Sequence, residues 1–113
     1  MNNGFVEIDS RDALEQFLAN AGGTGAVLFK HSNMCGVSSR AYDEMAKLKE
    51  PVGLITVQKA RAVSDEIEKR WNVAHETPQV LIIRAGKLIW DASHFLIKAD
   101  AVEAAVRQMS SEQ

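Results

Sequence analysis

Short apolar runs alternate along this chain with segments whose apolar residues recur every three or four positions, and that alternation predicts its elements. Phe5-Val6-Glu7-Ile8 reads as a first strand. Ser10 then caps a helix from Arg11 to Ala21, with Leu14, Phe17, Leu18 and Ala21 on one stripe. Gly22-Gly23-Thr24-Gly25 ends it, and Ala26 to Lys30 forms a second strand, apolar enough to be buried on both faces. A helix follows Cys35 and runs to about Lys49, with Val37, Ala41, Met45 and Leu48 inward, before Pro51 closes the segment. Val52 to Val57 is a third buried strand. The next helix, from about Ala62 to Trp71, turns Val63, Ile67 and Trp71 inward and Asp65, Glu66, Glu68, Lys69 and Arg70 to solvent. Gln79 to Ile83 and Lys87 to Ala92, joined by the tight turn Ala85-Gly86, predict an antiparallel hairpin. A last helix spans Ala99 to Met109, and Ser110 to Gln113 is expected to be a loose tail.

The order is βαβαβαββα. Strands alternating with helices argue for a parallel centre, and the terminal hairpin adds an antiparallel part. The expected fold class is α/β, a mixed central sheet with helices on both faces. The 113 residues suit a single domain with one core.

Charge narrows the function more than length does. Thirteen basic and fifteen acidic residues leave a net charge of -2, with no block of one sign, so neither nucleic acid nor an anionic membrane is an expected partner. The apolar runs around Leu54 and Val80 fall far short of the ~20 residues a membrane span needs. The first residues lack the basic and apolar regions of a signal peptide, so a cytoplasmic location is expected. A single cysteine excludes a disulfide or a cysteine-built metal cage within one chain.

That cysteine carries the candidate chemistry. Val27-Leu28-Phe29-Lys30 ends in the polar turn His31-Ser32-Asn33-Met34, Cys35 comes next, and helical spacing begins at once. A strand that delivers a cysteine to a helix's first turn sets the sulfur among unpaired N–H groups at the positive end of the helix dipole. The backbone of Gly36, Val37 and Ser38 would then favour thiolate, the reactive form. His31, four residues earlier, would add to this if charged. Trp71 and Trp90 read as packing residues and His75 as loop surface.

The element order, with a cysteine after the second strand and Thr77-Pro78 before the fourth, resembles the thioredoxin fold. Within that fold the chain is similar to the monothiol bacilliredoxin family of the bacillithiol redox system. The matching stretches are Phe29-Lys30-His31-Ser32, Cys35-x-x-Ser38, His75-Glu76-Thr77-Pro78-Gln79-Val80 and Ala92-Ser93-His94. The family usually has proline after the cysteine. Gly36 stands there instead, which frees one more N–H near the sulfur and loosens the first turn.

The resemblance implies that Pro78 is cis and that its loop packs beside Cys35, with Thr77 and Pro78 as a ledge on which substrate backbone pairs. It sets Ser38 where dithiol relatives keep a second cysteine, and brings His31 and His94 into the substrate-binding set. The implied activity is monothiol exchange: Cys35 removes a low-molecular-weight thiol, such as bacillithiol, from thiolated protein substrates, with no resident cofactor or metal. Two other readings stand beside it. Cys35-Gly36-Val37-Ser38 is also similar to the Cys-Gly-Phe-Ser motif of monothiol glutaredoxins, which would make the protein an iron–sulfur cluster carrier. Those proteins, however, keep a Gly-Gly pair and an Asp where this chain has Asp91-Ala92-Ser93-His94. The third reading is a non-catalytic thioredoxin-fold binding module.

Overall fold

A computed structural model describes residues 4–21, 25–34 and 36–111, with backbone only for 108–111. The Gly22–Thr24 stretch expected to end the first helix, and Cys35 itself, lie outside the described residues. The elements are β1 (Phe5–Glu7), α1 (Arg11–Ala21), β2 (Ala26–His31), α2 (Gly36–Met45), β3 (Val52–Thr56), α3 (Arg61–Trp71), β4 (Gln79–Arg84), β5 (Lys87–Ser93), a 3-10 turn (His94–Leu96) and α4 (Ala99–Ser111). They form one five-stranded sheet in the order β1-β3-β2-β4-β5. β3 lies parallel between β1 and β2, while β4 runs antiparallel to both β2 and β5. This is the thioredoxin-like α/β arrangement.

Most differences from the sequence reading are at element ends. Ser10 does cap α1: its hydroxyl accepts the Ala13 N–H at 3.1 Å. Ile8 falls outside β1, although its N–H still donates to the Leu54 carbonyl at 2.9 Å. α2 stops at Met45, not Lys49. The Lys47 and Leu48 N–H groups donate three residues back, to Glu44 and Met45, which tightens the chain before Pro51 excludes a helical residue 50. Leu48 is buried all the same, so the inward stripe outlasts the helix. α4 reaches Ser111, so Ser110 and Ser111, expected in the tail, are helical. The 3-10 turn was not foreseen. It begins at His94, whose φ of 56° is a local backbone choice that apolar spacing does not encode.

The sheet separates two apolar layers. On one face Val27, Phe29, Val80 and Ile82 pack against Ala41 and Met45 of α2 and against Val102 and Val106 of α4. On the other, Leu28, Ile55, Leu81 and Ile83 pack against Leu14 and Phe17 of α1 and against Val63 and Ile67 of α3. Gly53 is required on this second face, since a Cβ there would lie 2.6 Å from Ile8 Cδ1 and 3.0 Å from the Phe17 ring.

The alternation along β2 that sends Ala26 and Leu28 to the α1/α3 face also sends Lys30 there, where it is 0% exposed. Burial pushes its ammonium pKa down from 10.5 to about 8, against the opposing pull of Glu68, Asp65 and Glu76. Below pH 8 the folded and unfolded chains both hold this proton, and the folded chain bears the cost of a buried charge. Between about 8 and 10.5 the unfolded chain binds more protons, so the Lys30 contribution to stability improves as pH rises. Lys30→Met is therefore expected to stabilise the fold by about 1–3 kcal/mol at neutral pH. Urea unfolding at a series of pH values should show that gain shrinking above pH 8.

Candidate functional site

Three segments meet at the end of the sheet where β2 stops. β2 leads through Ser32, Asn33 and Met34 to α2, whose first residue is Gly36. β4 starts at Gln79, directly after the buried Pro78, and the Thr77–Pro78 peptide bond is cis. β5 ends at Ser93, opposite Gln79, and its continuation returns the His94 N–H to the Pro78 carbonyl at 3.0 Å. The 3-10 turn then packs on α2. The chain position of Cys35, between Met34 and Gly36, belongs to the first of these segments.

The loop before α2 is held by hydrogen bonds. Ser38 is fully buried, and its Oγ accepts the Ser32 N–H at 2.9 Å. This bond leaves the hydroxyl proton of Ser38 uncommitted. Ser32 Oγ in turn accepts from Gln58 Nε2 at 2.8 Å and from the Met34 N–H at 3.3 Å, while Gln58 Oε1 accepts the Asn33 N–H at 3.3 Å. Gln58 follows β3, so Ser32 and Asn33 are fastened to the neighbouring connection, Ser32 also to α2, and Met34 to Ser32 within the loop. The sequence reading missed Gln58 because the contact spans 26 residues and no local pattern marks it.

His31 is not in the loop, as expected, but is the last residue of β2, paired in register with Thr56. Its ring sits between Phe29 and Tyr42, with centroids 5.5 and 5.1 Å away. Burial in that aromatic wall lowers its pKa below the ordinary 6.5, against a weaker opposing hydrogen bond with the Ser38 backbone. At neutral pH His31 is therefore an uncharged ring, and it adds no standing positive charge to the site.

His94 is exposed and its Nε2 lies 3.3 Å from Glu76 Oε1, which ties the start of the 3-10 turn to the loop before Pro78. His75 is exposed too, but its Nδ1 faces the buried Ser64 hydroxyl at 3.2 Å. Gln79 is fully buried, with its Nε2 donating to the Ala74 carbonyl at 3.0 Å. Together these contacts fix residues 74–79 to α3 on one side and the 3-10 turn on the other. Trp71 donates to the Gly86 carbonyl at 2.9 Å, far along the hairpin, and Trp90 lines the core, so both are packing residues.

Gly36 is exposed with nothing within 4 Å of where a Cβ would lie. As the first residue of α2 it occupies the one helical position where proline is favoured, so the family's usual proline would fit the space. Around the site Met34, Phe95 and Leu96 are 82%, 63% and 72% exposed. Among the described residues no cluster of three His, Cys, Asp or Glu could hold a metal. No helix there is long and apolar enough to cross a membrane. A cavity of about 650 Å³ lies at the opposite end of the sheet, lined by residues such as Phe17, Asn20, Ala26 and Pro51.

The fold is that of thioredoxin, and the comparisons with known proteins place the chain among thiol oxidoreductases of that fold. The model of the family described as "Monothiol bacilliredoxin BrxC" matches residues 6–102, and the chain belongs to that family. A solved thioredoxin-fold protein, provisionally described as an oxidoreductase, is 29% identical, with a TM-score of 0.83 over 90% of this chain and 93% of its own. Thioredoxin from Fasciola hepatica aligns at TM-score 0.74 and 12% identity, over 91% and 97% of the two chains. A single-substitution variant of thioredoxin from Halobacterium salinarum aligns at 0.73 and 12%, over 95% and 91%. These last two bear on the fold alone.

The bond from Ser32 to Ser38 supplies a direct test of how the loop is held. Ser38→Ala strands the Ser32 N–H in a buried place and is expected to cost about 1–2 kcal/mol in urea unfolding. Ser38→Thr, which keeps an acceptor, should recover part of that loss.

Proposed function

We propose that the protein is a monothiol exchanger that removes a low-molecular-weight thiol, bacillithiol first among candidates, from mixed disulfides on other proteins. The observation that carries this reading is the junction between β2 and α2. Cys35 is the residue directly before α2 in a chain of the monothiol bacilliredoxin family, and the first turn of α2 offers the N–H groups of Gly36, Val37 and Ser38.

In the reading, the Cys35 thiolate attacks the small-thiol sulfur of a protein–S–S–R disulfide. A Cys35–S–S–R bond forms, the S–S bond between the protein's sulfur and the small thiol breaks, and the protein leaves as a thiolate that takes a proton from solvent. A second small thiolate then attacks the sulfur of the R group, which releases R–S–S–R and restores the Cys35 thiolate. The chain has no second cysteine to resolve the intermediate, so Cys35 supplies the electrons of the first step and the small thiol restores them in the second. The small thiol is thus a co-substrate, and the thiolated protein is the other partner. Thr77 and Pro78, at the start of β4, would pair the substrate backbone like an added strand. His94, exposed beside Glu76, is the side chain of this set best disposed to meet a polar group of the small thiol.

The test is release of the free thiol form of a modified protein, followed by mass, with bacillithiol, glutathione and coenzyme A as the attached group in parallel. The expected outcome is turnover that depends on Cys35, is abolished by Cys35→Ser, and is fastest for bacillithiol. Release by Cys35→Ser at the wild-type rate, or no release of any of the three, would contradict the reading.

A further inference from the structure

The cavity of about 650 Å³ lies at the end of the sheet away from the β2–α2 junction, and its size falls within the roughly 300–1,000 Å³ of small-molecule sites. Its room has a cause in the sequence. β1 is an edge strand of three residues, and its Val6 stands in register with Gly53, where a side chain would strike Ile8 and Phe17. From the start of β2 only Gly25 and Ala26 reach the space. On α1 the lining positions Ala13, Gln16, Phe17 and Asn20 follow one another at helical spacing and share a face.

The floor of the cavity is apolar. Phe17, Ala26 and Val106 line it and are buried. Val6 lines it too, and is one of the few large apolar side chains left exposed among the described residues. The polar lining carries charge of one sign. Glu7, Gln16 and Asn20 are exposed, while Glu50 is half-buried. Among the described residues Oε1 of Glu50 is shut from solvent and has no hydrogen-bond partner. No Lys, Arg or His stands among the described residues that line the space. α1 ends here, at Ala21, with no basic residue in its last turn to offset the partial negative charge of a helix C-terminus.

These features select a ligand by charge and by shape. A carboxylate oxygen kept from water without a donor is costly, and an ammonium N–H that meets it forms a charge-assisted hydrogen bond. An anion would face two carboxylates and a helix C-terminus, all repelling it. A bare metal ion is not served either, since among the described residues no group of three His, Cys, Asp or Glu could hold one. We propose that the cavity binds a small organic cation, an amine whose ammonium pairs with Glu50 while its apolar body lies on Phe17, Ala26 and Val6. No covalent bond is made or broken there, and the site stands apart from the thiol exchange at the other end of the sheet.

The experiment follows the backbone amide resonances of the full chain by NMR at pH 7 during titration with phenethylammonium. Phenylethanol and phenylpropionate, which keep the ring and its short chain but are neutral and anionic, are titrated in parallel. Saturable shifts at the amides of Ala13, Phe17, Asn20 and Ala26 are expected with the ammonium. The alcohol should bind about tenfold more weakly, as when a charged hydrogen bond becomes a neutral one, and the carboxylate should not bind. Glu50→Gln, of nearly the same shape, should weaken the ammonium about tenfold and leave the alcohol unchanged. Ammonium shifts that fail to saturate, or that spread over the acidic surface elsewhere, would overturn the site. So would an alcohol that binds as tightly as the ammonium, or equal ammonium affinity in Glu50→Gln. The comparison of the three probes needs no variant and decides the matter even if Glu50→Gln fails to fold. Release of thiolated proteins is read separately, so the failure of either proposal leaves the other standing.

Discussion

Everything at the candidate site hangs on β2 being a strand with no solvent-facing side. It lies between β3 and β4, one face under α2 and α4 and the other under α1 and α3. Phe29 and Val27 are sealed on one side and Leu28 on the other, and burying such apolar groups contributes roughly 1.5–3 kcal/mol per side chain. A strand gripped on both faces fixes where its end points. That end passes into α2 through a loop fastened by Ser38 and Gln58, so the register of β2 with β3 and β4 sets the geometry of the cysteine's neighbours.

The same constraint explains why the chemistry gathers at one end of the sheet. β2 and β3 are parallel and end together, while β4 starts there because it runs the other way. The cis Thr77–Pro78 bond precedes β4, and the Pro78 carbonyl is tied to His94 as β5 leaves. A helix terminus, a strand start and a 3-10 turn converge there, with Ser38 and Gln79 buried beneath an exposed rim. The core bears the stability. The rim leaves large apolar side chains such as Met34, Phe95 and Leu96 exposed.

Much of this was legible in the sequence, because it is written in periodicity. The strands and helices, the Ser10 cap and the inward stripes of α1, α2 and α3 follow from spacing alone, and the family resemblance rests on short stretches spread along the chain. The rest was not local. His31 reads as a loop residue because it follows a lysine, yet strand pairing with Thr56 carries β2 through it, and Phe29 and Tyr42 then bury and neutralise its ring. Gln58 and Gln79 act through contacts between distant elements, which composition does not signal. Lys30 is the instructive case: a strand read as buried on both faces already implied a buried lysine, and only the charge, not the apolar pattern around it, marked the position as unusual.

The central claim is that the β2–α2 junction makes Cys35 a thiolate at neutral pH, and the ultraviolet absorbance of the thiolate as a function of pH tests it most directly, with Cys35→Ser as the blank. The account predicts a midpoint well below the ~8.5 of an unperturbed cysteine. A midpoint at or above that value would contradict it and leave Cys35 a packing or binding residue.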